Sequence, residues 1–186
     1  MKRLVPAVVL AAAVSLLSAC GSSSPPSDPS GAGTPSASAS ASTGPAFDPC
    51  DGLDVTPVSA AFGSPLRLDT GTAQAPLCGL EPAGAKGPEL KYTISYLWFA
   101  AGLDQAWKTF KAPKGAAVTE PAIAHADATR LVTYRAKKAY AVTAFVQTGK
   151  LIQEINGVAL QPYDAGNVQA ATKALMTALA AKAPRS

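Results

Sequence analysis

The amino-acid sequence predicts a single α+β domain in which an antiparallel sheet carries helices on one face. Residues 90–99 alternate between two side-chain faces, as a strand does, whereas Leu103 to Phe110 shows the three-and-four spacing of an amphipathic helix. Three later strand-like runs follow one another so closely that only hairpins can join them, which makes them antiparallel. The order of helix, strands, helix, strands and helix also suggests a duplicated helix-plus-meander unit.

The domain is predicted to span 46–186 and to open with a short helix. Thr56 is expected at the N-cap, Pro57 at the first helical position and Gly63 just past the end, because these residue types favour those positions. Two short strands are predicted next, on either side of a turn rich in glycine, threonine and proline. They cover 66–69 and 77–81.

The most regular predicted strand places Tyr92, Tyr96 and Trp98 on one face. The amphipathic helix that follows contributes Trp107 to its own apolar stripe. We expect these aromatic side chains to form core between the sheet and that helix. Alternatively, a gap among bulky aromatics and many alanines would make Tyr92, Tyr96, Trp98 and Trp107 the lining of an apolar ligand site.

The rest of the domain is predicted as three strands and a final helix. The strands cover 129–136, 139–147 and 151–160, and Asp164 is expected to cap a helix that ends near residue 181. The hairpin regions are basic, which indicates either charged turns that guard strand edges or a contact with anionic lipid or wall polymer. These basic residues are Arg130, Arg135, Lys137, Lys138 and Lys150.

Residues 1–19 have the layout of a secretory signal, with two basic residues followed by an apolar run and small residues. The apolar run is shorter than the roughly 20 residues that a membrane-spanning helix needs. Its end, Leu17-Ser18-Ala19-Cys20, resembles the lipobox of bacterial lipoproteins. That resemblance implies cleavage before Cys20 and attachment of fatty acyl chains to its thiol. The protein is therefore expected on the extracytoplasmic face of the cell membrane.

Residues 20–45 are predicted to be a disordered tether. They are almost entirely serine, alanine, proline, glycine and threonine, with Asp28 as the one charged residue. Such a composition cannot bury enough apolar surface to offset the entropy of ordering. Its ends are expected to lie roughly 25–30 Å apart on average.

Cys50 and Cys78 remain as a pair once Cys20 is assigned to lipid. An exported chain meets an oxidising environment, which favours a disulfide between them. A redox or metal pair is the alternative, but the two cysteines lack the C-x-x-C spacing and have no histidine nearby.

The start of the domain resembles the actinobacterial lipoproteins of the domain of unknown function 3558 family. The matching residues, in order, are Asp48-Pro49-Cys50, Thr56-Pro57, Ala61-Phe62-Gly63 and Cys78. The sequence departs from the family at Cys78-Gly79-Leu80, where a polar residue and an aromatic are expected after the cysteine. The resemblance implies a lipidated envelope protein with a paired disulfide, and it implies no active site.

No constellation of residues predicts catalysis, a metal site or a cofactor. His125 is the one histidine, Asp127 is its nearest acidic neighbour, and no nucleophile motif accompanies them. The spacing of Asp48, Asp51 and Asp54 does not fit a calcium loop and is better explained by turns and helix capping.

The chain has 16 basic and 12 acidic residues, and two of the basic ones lie in the signal segment. So small an excess of positive charge does not indicate nucleic-acid binding. The sequence therefore predicts a lipid-anchored, non-catalytic binding or accessory protein of the cell envelope that recognises a protein or wall component. A carrier or sensor of a small apolar ligand, held between helices and sheet, is the alternative. An envelope hydrolase is less favoured.

Overall fold

The computed structural model describes residues 44–84 and 88–184 of the 186-residue chain. The predicted signal segment, Cys20 and nearly all of the predicted tether lie outside the described residues. Within the described residues, no helix is both long enough and apolar enough to cross a membrane.

The described chain forms three helices and one seven-stranded sheet. The helices are α1 (Thr56–Phe62), α2 (Gly102–Trp107) and α3 (Ala165–Lys182). The strands are β1 (Leu66–Thr72), β2 (Ala75–Pro82), β3 (Leu90–Trp98), β4 (Ala117–Thr119), β5 (Ala128–Arg135), β6 (Ala139–Thr148) and β7 (Leu151–Leu160). All neighbouring strands are antiparallel, in the order β1-β2-β3-β7-β6-β5-β4. The predicted α+β class with an antiparallel sheet is confirmed.

The centre of the sheet is the pairing of β3 with β7, which runs without interruption from Leu90 opposite Ala159 to Trp98 opposite Leu151. This long-range pairing joins the strands before α2 to those after it. The consecutive strands β5, β6 and β7 form the hairpins that their close spacing predicts.

Helix α3 covers one face of the sheet and builds the main core, as its predicted apolar stripe requires. Val168, Ala171, Leu175 and Leu179 are all fully buried. They pack against inward-facing residues of the sheet and against α1 in a single cluster. Burying each such leucine stabilises the fold by about 1.5–3 kcal/mol.

Helix α2 packs on the opposite face, so the expectation that the helices share one face is wrong for this helix. Leu103 of α2 packs with Phe145 of β6 and Ile152 of β7. The neighbouring residues Ala144 and Ile155 belong to the α3 core. Because successive residues of a strand point to opposite faces, these two clusters lie on opposite sides of the sheet. The structure does not confirm a duplicated unit.

Helix α1 begins one residue earlier than predicted, and the other predicted helix ends are confirmed. Val55, not Thr56, is at the N-cap of α1, and Pro57 is the second residue of the helix instead of the first. No side chain caps this helix, although the Asp54 Oδ1 accepts from the Thr56 amide at 2.9 Å. Gly63 ends α1 in the left-handed conformation, with φ of 80°. Asp164 caps α3 by accepting from the Asn167 amide at 2.8 Å. Carboxylates at helix N-termini satisfy amides that have no partner within the helix.

A disulfide joins Cys50 to Cys78, with 5.4 Å between their Cα atoms. The predicted pairing is confirmed. The bond attaches the segment before α1 to β2, and both cysteines are buried in the α3-side core. A cross-link between residues 28 positions apart restricts the unfolded chain, which contributes about 3–4 kcal/mol to stability.

Candidate functional site: an aromatic groove beside α2

A groove of about 520 Å³ lies beside α2, on the face of the sheet that α3 does not cover. We call it the α2 groove. Its walls are mainly apolar and come from α2, from the turn after it and from three neighbouring strands. The apolar lining residues are Leu97, Leu103, Trp107, Phe110, Phe145 and Ile152.

Gln147 fixes α2 against the sheet and thereby forms one wall of the groove. Its Oε1 accepts from the Leu103 amide at 2.7 Å, and its Nε2 donates to the Gly149 carbonyl at 2.9 Å. Gly102 lets the chain turn into the helix, because its φ is 76° and a Cβ there would lie 3.3 Å from the Gln147 side chain. A polar side chain of a strand thus caps a helix that is distant in sequence.

The wall beside α2 is a cluster of three aromatic rings. Trp107 stacks on Phe110 with 4.8 Å between ring centroids, and Phe145 meets both rings edge-on at 5.9 Å and 5.2 Å. The three rings pack on one another and form one continuous wall. Offset and edge-on pairs of this kind each contribute about 0.5–1.5 kcal/mol beyond the burial of area.

Arg130 holds the aromatic cluster from outside the groove. Its guanidinium lies 5.8 Å from the centre of the Trp107 ring. It also forms ion pairs with Asp104 of α2 at 2.8 Å and with Glu120 at 3.3 Å. Arginine suits this position because a planar guanidinium can pair with carboxylates and pack on an aromatic ring together.

The edge of the groove is polar. Ser95 and Glu154 border it from β3 and β7, and Glu154 accepts from the Asn156 side chain at 2.7 Å. Farther along the same sheet face, the exposed Val158 follows at the opposite end of β7. The uncovered face is therefore apolar inside the groove and mixed outside it. A binding partner with an apolar group that enters the groove and polar groups around it would match this uncovered face.

The four aromatic residues proposed from sequence as ligand-lining do not share a site. Tyr92 is fully buried on the α3 face, where its hydroxyl is 2.9 Å from the Thr172 hydroxyl and donates to the Val168 carbonyl at 3.2 Å. Burial raises the pKa of the Tyr92 phenol, and the hydrogen bond with Thr172 opposes that shift. Tyr92 is therefore part of the core.

Trp98 is also on the α3 side, packed with Leu151 and Ala183 and donating from Nε1 to the Pro45 carbonyl at 3.1 Å. Tyr96 is 40% exposed and borders the α2 groove. Trp107 lines the groove directly. The sheet itself separates Trp107 from Tyr92 and Trp98, because α2 packs on the face opposite α3.

The acidic residues that precede α1 have local backbone roles, as predicted. Asp48 accepts from the Cys50 amide at 2.8 Å. Asp54 accepts from the Thr56 amide, and hydrogen bonds from the backbone and then the side chain of Thr56 lower the pKa of Asp54. Within the described ranges, no three histidine, cysteine or acidic residues gather as a metal site would require.

His125 and Asp127 lie in the loop before β5. His125 has a φ of 69°, in the left-handed region. The Asp127 carboxylate accepts from the Gly149 amide at 2.7 Å and so holds this loop against the β6–β7 turn. The basic residues of the two hairpin turns lie at opposite ends of the sheet, since Lys137 and Lys138 precede β6 and Lys150 follows it.

No family model, curated protein or solved structure matches this chain. The resemblance to lipoproteins of the domain of unknown function 3558 family therefore depends on the residues quoted above for it.

Proposed function

We propose that this protein is a lipid-anchored, non-catalytic binding module of the cell envelope, attached to the outer face of the cell membrane through Cys20. The layout of residues 1–19 and the lipobox-like sequence before Cys20 support the anchor. The Cys50–Cys78 disulfide is consistent with an oxidising compartment outside the cytoplasm.

The recognition surface in this proposal is the α2 groove. The observation that carries it is the asymmetry of the sheet: one face is closed by α1 and α3, whereas the other presents an aromatic groove that the described chain leaves open. Leu97 is 42% exposed at the rim of this groove. An apolar rim beside a polar edge suits recognition of an apolar projection on an envelope protein or wall component.

A carrier or sensor of a small apolar ligand is the second candidate. The size of the groove favours it, because about 520 Å³ lies within the range of ligand sites in proteins. In this version the ligand sits between α2 and the sheet, against the rings of Trp107 and Phe145. It does not sit among Tyr92 and Trp98, whose side chains fill the other face.

The anchor is tested by growing cells that express the chain with a fatty-acid analogue that can be labelled. The wild type should carry the label and fractionate with membranes, whereas Cys20→Ser should lose both properties. Cys50→Ala/Cys78→Ala is the matched cysteine control and should keep the label. Equal labelling of wild type and Cys20→Ser would contradict the anchor.

Recognition is tested by placing a photo-crosslinking amino acid at Leu97 or at Val158 in intact cells. Both positions are exposed to a similar degree on the uncovered face, but only Leu97 borders the groove. A discrete cross-linked product from Leu97 alone is expected, and Trp107→Ala should remove it. The same products from both positions, or none from Leu97, would contradict recognition through the groove.

A further inference from the structure

We propose that the basic segment 108–114, which follows α2, binds the anionic headgroups of the membrane that holds the anchor. This inference rests on the proposed lipid anchoring of Cys20, but the surface is tested separately below. It assigns a membrane-facing surface to the folded domain. The partner is an anionic lipid surface, and the contact is electrostatic with an aromatic component.

The segment concentrates positive charge. Lys108, Lys111 and Lys114 are all exposed, and no acidic residue occurs in the sequence from 105 to 119. Among the described residues, none of these three lysines belongs to an ion pair; Lys108 donates only to the Gln105 side chain, at 2.9 Å. Their charges are therefore available to an external anion.

The acidic residues nearest to these lysines in the sequence are paired with another cation. Asp104 and Glu120 both bind the guanidinium of Arg130, whose side chain is 14% exposed. These three residues together carry a net charge of −1 against the three positive charges of the lysine segment. Positive charge remains in excess there even with Glu154, which borders the α2 groove together with Lys111. A surface that presents many phosphates is complementary to it.

Two aromatic residues accompany the lysines, as is common where proteins meet the membrane interface. Trp107 directly precedes the segment and Phe110 lies within it; both are half-buried, and their rings stack on each other. The segment is also held in place, because the amides of Thr109 and Phe110 donate to the carbonyls of Ala106 and Trp107, both at 3.1 Å. Aromatic rings with one wet edge suit the headgroup level.

Because the predicted tether would keep the domain near its own membrane, a weak contact with the headgroups is enough to orient the domain. The composition of residues 20–45 predicts a span of roughly 25–30 Å, which keeps the domain at an effective concentration on the order of millimolar near its own membrane. Each lysine near an anionic bilayer adds a modest attraction, and three together strengthen binding on the order of 100-fold. The domain would then spend most of its time with the lysine segment against the bilayer.

The test uses the unlipidated chain from residue 20 onward, with Cys20→Ser, so that vesicle binding cannot come from the anchor. Co-sedimentation is measured with phosphatidylcholine vesicles that contain or lack phosphatidylglycerol. We expect binding only to the vesicles with phosphatidylglycerol, weakened by salt. Lys108→Gln/Lys111→Gln/Lys114→Gln should reduce that binding on the order of 100-fold.

Lys137→Gln/Lys138→Gln/Lys173→Gln is the matched control, because it removes the same charge from exposed lysines outside segment 108–114. It should bind almost as the wild type does, and circular dichroism should show both variants folded. Equal losses in the two triple variants, or binding that does not require phosphatidylglycerol, would overturn the proposal. Leu97→Ala, which changes no charge, should leave vesicle binding unchanged and so separates this result from a failure of groove recognition.

Discussion

The two faces of the sheet differ in what covers them. On one face, α1, α3 and a disulfide enclose a continuous core that includes Tyr92 and Leu175. On the other face, α2 has only six residues and covers one end of β6 and β7. The first face accounts for stability, and the second leaves a shaped apolar surface open to solvent.

The two faces have different roles in this small domain. The core on the α3 face stabilises the fold, so the open face can keep apolar side chains exposed without unfolding the protein. Val158 and Leu97 are each more than two-fifths exposed there, whereas Leu175 on the α3 side is fully buried. Substitutions on the two faces should therefore have very different consequences.

The largest expected difference is in the free energy of unfolding. Leu175→Ala should lower it by about 3–5 kcal/mol, because it removes fully buried methylenes and leaves a cavity. Val158→Ala on the open face should change it by less than about 0.5 kcal/mol. Urea unfolding followed by circular dichroism measures both, and similar losses in the two variants would show that the open face is in fact enclosed.

The disulfide should have the next largest effect. Cys50→Ala/Cys78→Ala should lower the free energy of unfolding by about 3–4 kcal/mol, because the cross-link no longer restricts the unfolded chain. A thiol assay on the denatured, unreduced protein should find neither Cys50 nor Cys78 free. Two reactive thiols in addition to that of Cys20 would show that Cys50 and Cys78 do not form a disulfide.

A smaller effect is expected at alkaline pH. Because the pKa of Tyr92 is raised by burial, this phenol stays protonated in the folded protein while the unfolded chain ionises above about pH 10. The contribution of the Tyr92 phenol to the free energy of unfolding is therefore complete below that pH. Above it, this contribution falls by about 1.4 kcal/mol per pH unit. Urea unfolding at a series of pH values measures this decline, which should be smaller in Tyr92→Phe than in the wild type. The same decline in both proteins would contradict the burial of the phenol.

Much of the fold could be predicted from local signals. The closely spaced strands β5, β6 and β7 gave the antiparallel hairpins, and the apolar stripe of α3 identified its buried side. Gly63 and Asp164 marked helix ends through well-known chemistry. The disulfide was predicted from the oxidising compartment that the predicted signal segment would imply.

The α2 groove could not be predicted in the same way. The groove depends on the pairing of β3 with β7, which are separated by more than fifty residues in the sequence. It also depends on the Gln147 side chain of β6, which caps α2. The alternating pattern of β3 placed Tyr92 and Trp98 on one face but could not show that α2 packs on the other. A polar residue in a strand carries no local signal for capping a distant helix.

The most direct test of the contrast between the faces is binding of the apolar dye anilinonaphthalenesulfonate to the folded protein. The dye should bind the wild type and Val158→Glu alike, because the position of Val158 is exposed but outside the groove. Leu97→Glu should abolish binding while leaving the urea midpoint nearly unchanged. Binding that is unaffected by Leu97→Glu, or lost equally in both variants, would contradict a recognition groove beside α2.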